Sequence, residues 1–140
     1  RGAAIEVFDL GEEKIREMYA DAAILLLPSN NEGFGIPLVE AMASGTIPVV
    51  ADRPPMNELV EHNKTGICLS LKRQEKYHHI EFPLVKDIVY ACDQILCSPE
   101  KYVHMRKNAR KKVEREYTVE HTVDLLLATA RNVVSNNKRA

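Results

Sequence analysis

Apolar and polar positions come in blocks along this chain. Short, dense apolar runs stand near residues 4 to 8, 23 to 27 and 47 to 51, the pattern of strands buried on both faces. Residues 12 to 20 and 37 to 44 between them repeat at helical period, so the order predicts parallel βαβ crossovers in a layered α/β unit. Pro54-Pro55 marks a loop before a short helix, and Asn63-Lys-Thr-Gly66 a turn before another strand at Ile67 to Leu69. Lys72-Arg-Gln-Glu-Lys-Tyr-His-His79 is polar and aperiodic and reads as a loop. Downstream, Leu84, Val85, Ile88, Val89, Cys92, Ile95 and Leu96 recur at helical spacing. Pro99 opens a second helix, and Thr118 suits the N-cap of a third, which carries the aliphatic run Val123 to Leu127.

Chemistry concentrates in Glu32-Gly-Phe-Gly-Ile-Pro-Leu-Val-Glu40, which follows the apolar run Ala22 to Pro28 and leads into Ala41-Met-Ala-Ser44, stopped by Gly45. Gly33 and Gly35 allow a sharp turn and close approach of backbone to a ligand. Pro37 fits the first helical position. The amides from Ile36 to Val39 then point out of a helix start, a phosphate-binding arrangement. Glu40, one turn in, is placed to accept from neighbouring hydroxyls such as those of a ribose. Glu32 lies on the opposite lip, where a sugar beyond a diphosphate would sit. A plainer reading stands beside this one: acidic residues near a helix start offset the dipole, and Gly-x-Gly alone is weak evidence.

The stretch from Pro28 to Val50 closely resembles the donor-site signature of retaining glycosyltransferases with the GT-B fold, the glycosyltransferase family 4 or "glycosyl transferases group 1" enzymes. Their signature is two glutamates separated by seven residues, matched here by Glu32 and Glu40. The strand and helix before it (Ile5 to Gly11, Ile15 to Ala22) and the helix and turn after it (Asn57 to Gly66) resemble the same family, and residues 99 to 127 do so more weakly. The resemblance implies a Rossmann-like parallel sheet with flanking helices, part of the C-terminal, nucleotide-sugar-binding domain of a GT-B fold. It implies that Glu40 binds the donor ribose and that Glu32 contacts the transferred sugar near its anomeric carbon. By the same likeness, the backbone of Gly33, Phe34, Gly35 and Ile36 faces the sugar and distal phosphate. It also implies retention of configuration, a nucleoside diphosphate sugar as donor and neither metal nor other cofactor. The basic pair that neutralises the diphosphate in this family normally lies earlier in the nucleotide-binding domain, and the resemblance assigns it to no residue of this sequence.

The chain has 140 residues, 45% hydrophobic, and starts at Arg1, so the expectation is one partial domain over residues 1–140, with the acceptor-binding N-terminal domain absent and little activity alone. An unpaired first strand and a bare closing helix then predict self-association of the fragment. A net charge of −1 excludes a bulk field for nucleic acid. The basic run with Arg106, Lys107, Arg110, Lys111, Lys112 and Arg115 reads as a solvated helix face, with weak membrane-surface contact as the other option. Cys68, Cys92 and Cys97, odd in number and unpaired in spacing, suggest buried thiols in a reducing compartment. Without a signal peptide or membrane span, the expected location is cytoplasmic, or peripheral to a membrane. His78 and His79 lack a matching ligand pair. The alternatives are a non-catalytic nucleotide-binding or interaction module on the same scaffold, and a sugar phosphorylase.

Overall fold

Three parallel strands form the centre of the fold, in the order β1 (Ile24–Leu27), β2 (Ile47–Ala51), β3 (Ile67–Leu69). Ile24 stands opposite Ile47, and Val49 opposite Ile67. This computed structural model describes residues 11–73 and 81–137. The strand expected at 4 to 8, and His78 and His79, lie outside the described residues. All five residues of β2 are buried, because helices cover both of its faces. Val50 joins Leu38 and Met42 of α2 (Ile36–Ala43), Met56 and Leu59 of α3 (Met56–Leu59), and Ala109 and Val113 of α5 (Val103–Glu116). Ile47 and Val49 face the other way, onto Ala91 and Ile95 of α4 (Val85–Cys97) and onto Met105. The two apolar faces are the physical reason the run is continuous and not alternating. The chain is thus α/β, with a Rossmann-like parallel sheet between helices.

Several expectations need correction. Lys72 and Arg73, read as loop, belong to β4 (Leu71–Arg73), which pairs antiparallel with β5 (Glu81–Pro83). In β4 Lys72 and Arg73 face solvent, and in β5 burial rises from exposed Glu81 to buried Pro83, so no apolar alternation announced them. Of the stripe read on α4 only Ile95 is buried, joined by Ala91, which the stripe did not include, whereas Val85, Val89 and Leu96 are exposed. Pro99 opens a 3-10 turn, Pro99–Tyr102, ahead of α5. Thr118 does cap α6 (Val119–Asn137), its hydroxyl accepting from the His121 amide at 3.2 Å, and Val123, Leu125, Leu126 and Leu127 stand exposed. Cys68 is buried and Cys92 half-buried, but Cys97 is exposed.

The basic run is not simply a solvated face. Lys112 is 8% exposed and reaches the Glu61 carboxylate at 3.2 Å and that of Glu116 at 3.8 Å, tying α5 to the segment after α3. Arg106 donates to the Gly45 carbonyl at 2.7 Å. Hydrogen bonds from Lys64 and then Lys112 hold the Glu61 carboxyl below its ordinary 4.5, and Arg115 first, then Lys112, does the same for Glu116. Depressed folded values mean that this stabilisation is complete above about pH 4.5 and is lost as pH falls through the lower folded values. Acidification from pH 6 to 3 is therefore expected to lower Tm, each carboxylate contributing about 1 kcal/mol or less because the pairs are partly solvated. Calorimetry of native chain against Lys112→Met checks this: the variant should show a shallower loss, and an equally steep one would remove Lys112 from the account.

Candidate functional site

The loop between β1 and α2 carries the candidate residues. It ends at Gly35, whose φ of 90° puts the N-cap of α2 in the left-handed region, where a side chain would be strained. Gly33 has no such φ, and a Cβ there would meet nothing within 4 Å; only Gly35 is demanded by the turn itself. The helix begins at Ile36, so Pro37 is its second residue and not its first. The amides of Leu38 and Val39 are not free as expected: both donate to the Gly35 carbonyl, at 2.9 and 3.2 Å. The backbone N–H groups available for an anion are therefore those earlier in the loop and at Ile36. Phe34 and Ile36 are 51% and 61% exposed, and the Phe34 ring meets Tyr117 edge-on, with centroids 6.2 Å apart.

At its other end α2 closes in a Schellman motif, Thr46 N–H donating to Ala41 at 2.9 Å and Gly45 N–H to Met42 at 3.1 Å. The fully buried Thr46 side chain then donates to the Tyr19 carbonyl near the end of α1 (Glu12–Asp21), a second donor beside the Ala22 amide at 3.3 Å. This joint fixes α1 beside α2. Between the two helices lies a cavity of about 520 Å³, lined by Glu12, Ile15, Arg16, Tyr19, Glu40, Ala43 and Ser44.

Glu40 thus sits on the wall of that cavity, and Tyr19 lines the same cavity across from it on α1. Burial first, and then the neighbouring Glu40 carboxylate, push the Tyr19 pKa above its ordinary value. The phenol stays protonated at neutral pH and remains a donor. Glu32, half-buried in the loop, does not line the cavity; α1, not Glu32, supplies the immediate neighbours of Glu40. Tyr19 was missed by sequence reasoning, yet Glu12, Ile15, Arg16 and Tyr19 recur at helical spacing along one face of α1. Among the described residues no three His, Cys, Asp or Glu side chains gather to hold a metal, and no helix is long and apolar enough to cross a membrane.

Comparison with known proteins places this geometry in context. The family described as "Glycosyl transferases group 1" matches residues 5–112. A GDP-Man:Man(3)GlcNAc(2)-PP-Dol alpha-1,2-mannosyltransferase of Dictyostelium discoideum is 31% identical over 108 residues, covering 76% of this chain and 19% of that protein. A D-inositol 3-phosphate glycosyltransferase of Gordonia bronchialis is 27% identical over 116 residues, covering 83% and 23%. The chain spans about a fifth of the length of these relatives. Among solved structures, sucrose-phosphate synthase from Thermosynechococcus elongatus superposes with a TM-score of 0.73 at 22% identity, over 93% of this chain and 30% of that one. The C-terminal domain of a glycosyl transferase group 1 protein from Francisella tularensis gives 0.65 at 20% identity, over 81% and 53%. The fold agrees with the C-terminal domain of GT-B enzymes.

Proposed function

The chain belongs to the glycosyl transferases group 1 family, and from that membership we propose that it supplies part of the donor site of a retaining glycosyltransferase. The donor is a nucleoside diphosphate sugar, and the acceptor-binding half lies in the rest of a two-domain protein. The observation that carries this reading is the placement of Glu40 on a cavity wall shared with Tyr19, one helical turn from the start of α2. An ionised carboxylate accepts at about four lone-pair positions, so Tyr19 can occupy one and leave others for two adjacent ribose hydroxyls. The diphosphate lies toward the α2 N-terminus, where the loop amides and the helix dipole favour negative charge.

Glu32 contacts hydroxyls of the transferred sugar and stabilises positive charge growing at its anomeric carbon. The bond from that carbon to the diphosphate oxygen breaks as the acceptor oxygen adds on the same face. The acceptor proton passes to the departing phosphate. The site runs in the cytoplasm, at or near a membrane surface if the acceptor is lipid-linked, and recruits no metal.

Titration of the chain with GDP, UDP and ADP tests the donor reading, GDP first because the Dictyostelium relative is named for a GDP-linked donor. Gly33 supplies the sharper arm. Its Cβ direction is open in the protein, so Gly33→Val should fold with Tm unchanged within about 2 °C yet bind GDP-mannose or UDP-glucose about tenfold or more weakly. Native-like affinity in that variant would mean that no ligand approaches the loop backbone. Anomeric analysis of the product made by the complete enzyme decides retention.

A further inference from the structure

We propose that Arg53 is a positioning residue that locks the Glu32 loop to the end of the neighbouring strand, an inference that rests on the donor-site reading above. Arg53 follows β2 by two residues, at the carboxyl edge of the sheet, where open α/β sheets receive their ligands. Its guanidinium crosses to the loop after β1 and donates to the Asn30 backbone carbonyl at 2.9 Å and also to the Asn30 side-chain oxygen. One nitrogen therefore grips both the main chain and the side chain of a residue two positions before Glu32.

The base of this clamp is stiff. The Arg53 amide donates to the Ala51 carbonyl at 2.9 Å, and the Arg53 carbonyl accepts from the Asn57 amide at 3.1 Å. Asn57 also donates through its side chain to Asp52 at 3.0 Å. On the far side of the grip, the Ser29 hydroxyl donates to the Asn31 carbonyl at 3.1 Å, so residues 29 to 31 hold a shape of their own that Arg53 orients as a unit. At the other end of the loop Phe34 leans on Tyr117. The loop is thus fastened on both sides of Glu32. A carboxylate that must meet a charge as it develops gains from such fixing, since a small misplacement costs rate steeply. Arg53 is half-buried, a setting in which its planar fork is held better than a lysine would be.

Three variants of this chain test the clamp: Arg53→Ala, Arg53→Lys and Asn30→Ala. In Arg53→Ala, amide shifts and hydrogen exchange should change at residues 29 to 36 and little elsewhere, and GDP-mannose affinity should fall about tenfold. Arg53→Lys should recover part of the loop protection. Asn30→Ala, which leaves β2 untouched, should give the same local signature in smaller measure, and it decides the matter if Arg53→Ala loses its fold. Unchanged amides at 29 to 36 in both alanine variants overturn the clamp. A native chain that binds neither GDP-mannose nor UDP-glucose overturns the donor reading instead, while the exchange data still decide the clamp.

Discussion

Gly66→Ala lowers the melting temperature of this chain by about 10 °C, from an overpacking cost of about 3 kcal/mol. The cause is contact distance. A Cβ at residue 66 would lie 2.5 Å from Pro48 Cγ, 2.6 Å from the Pro48 carbonyl oxygen and 2.7 Å from Val60 Cγ1. None of these neighbours can step aside cheaply. Pro48 is the second residue of β2, paired with Leu25 of β1, and Val60 is 1% exposed. Interiors are packed too densely to absorb such an atom, so β3 must move away from β2 and lengthen ladder bonds, including Asp52 N–H to the Leu69 carbonyl at 2.9 Å. Thermal unfolding followed by circular dichroism reads the loss. Gly11→Ala is the control, because nothing lies within 4 Å of its Cβ position. A Gly66→Ala protein that melts within 2 °C of the native chain would mean that the close packing of β3 on β2 is wrong.

Glu40→Ala should weaken nucleotide binding about ten- to a hundredfold, the equivalent of roughly 1.5–3 kcal/mol for a charge-assisted hydrogen-bond pair. Glu40 is exposed, so Tm should hardly change, and this split between binding and stability separates a ligand contact from a structural one. Tyr19→Phe should fall between native and Glu40→Ala, since it leaves the carboxylate but removes the phenol hydroxyl beside it. Ligand-observed NMR with the nucleotide that binds best measures both. Affinity that ignores Glu40 would remove its ribose role, and affinity lost with Glu32→Ala but kept with Glu40→Ala would move the nucleotide to the other lip of the loop.

The sheet was legible because β2 is covered on both sides: a continuous apolar run such as Ile47 to Ala51 has few other uses. The seven-residue interval between Glu32 and Glu40 drew attention to the loop through its likeness to a family signature. What spacing could not show was how the two glutamates are shared out. The cavity at Glu40 depends on α1 lying beside α2, and that depends on the buried Thr46 side chain meeting the Tyr19 carbonyl, a joint 27 residues apart in sequence. Lys112 was read with its basic neighbours, but one position in a charged helix turned inward to Glu61, which composition cannot reveal. The β4–β5 pair escaped notice because its ladder is held by backbone hydrogen bonds under polar side chains such as Lys72, Arg73 and Glu81. On α4, Leu96 and Val89 looked like core, while small Ala91 is the residue that lets the helix approach the sheet.

Helix α5 supplies Met105, Ala109 and Val113 to the two faces of the core, and its Arg106 reaches back 61 residues to the turn that ends α2. A ribosome making this chain therefore releases β1, α2 and β2 long before the segment that covers them. Pairings of such long sequence separation form slowly, and the apolar face of α2 stays open to solvent, chaperones and other nascent chains until residues near 113 emerge. The loop that carries Glu32, although it precedes α5 by about seventy residues, reaches its final shape only once that helix has been made.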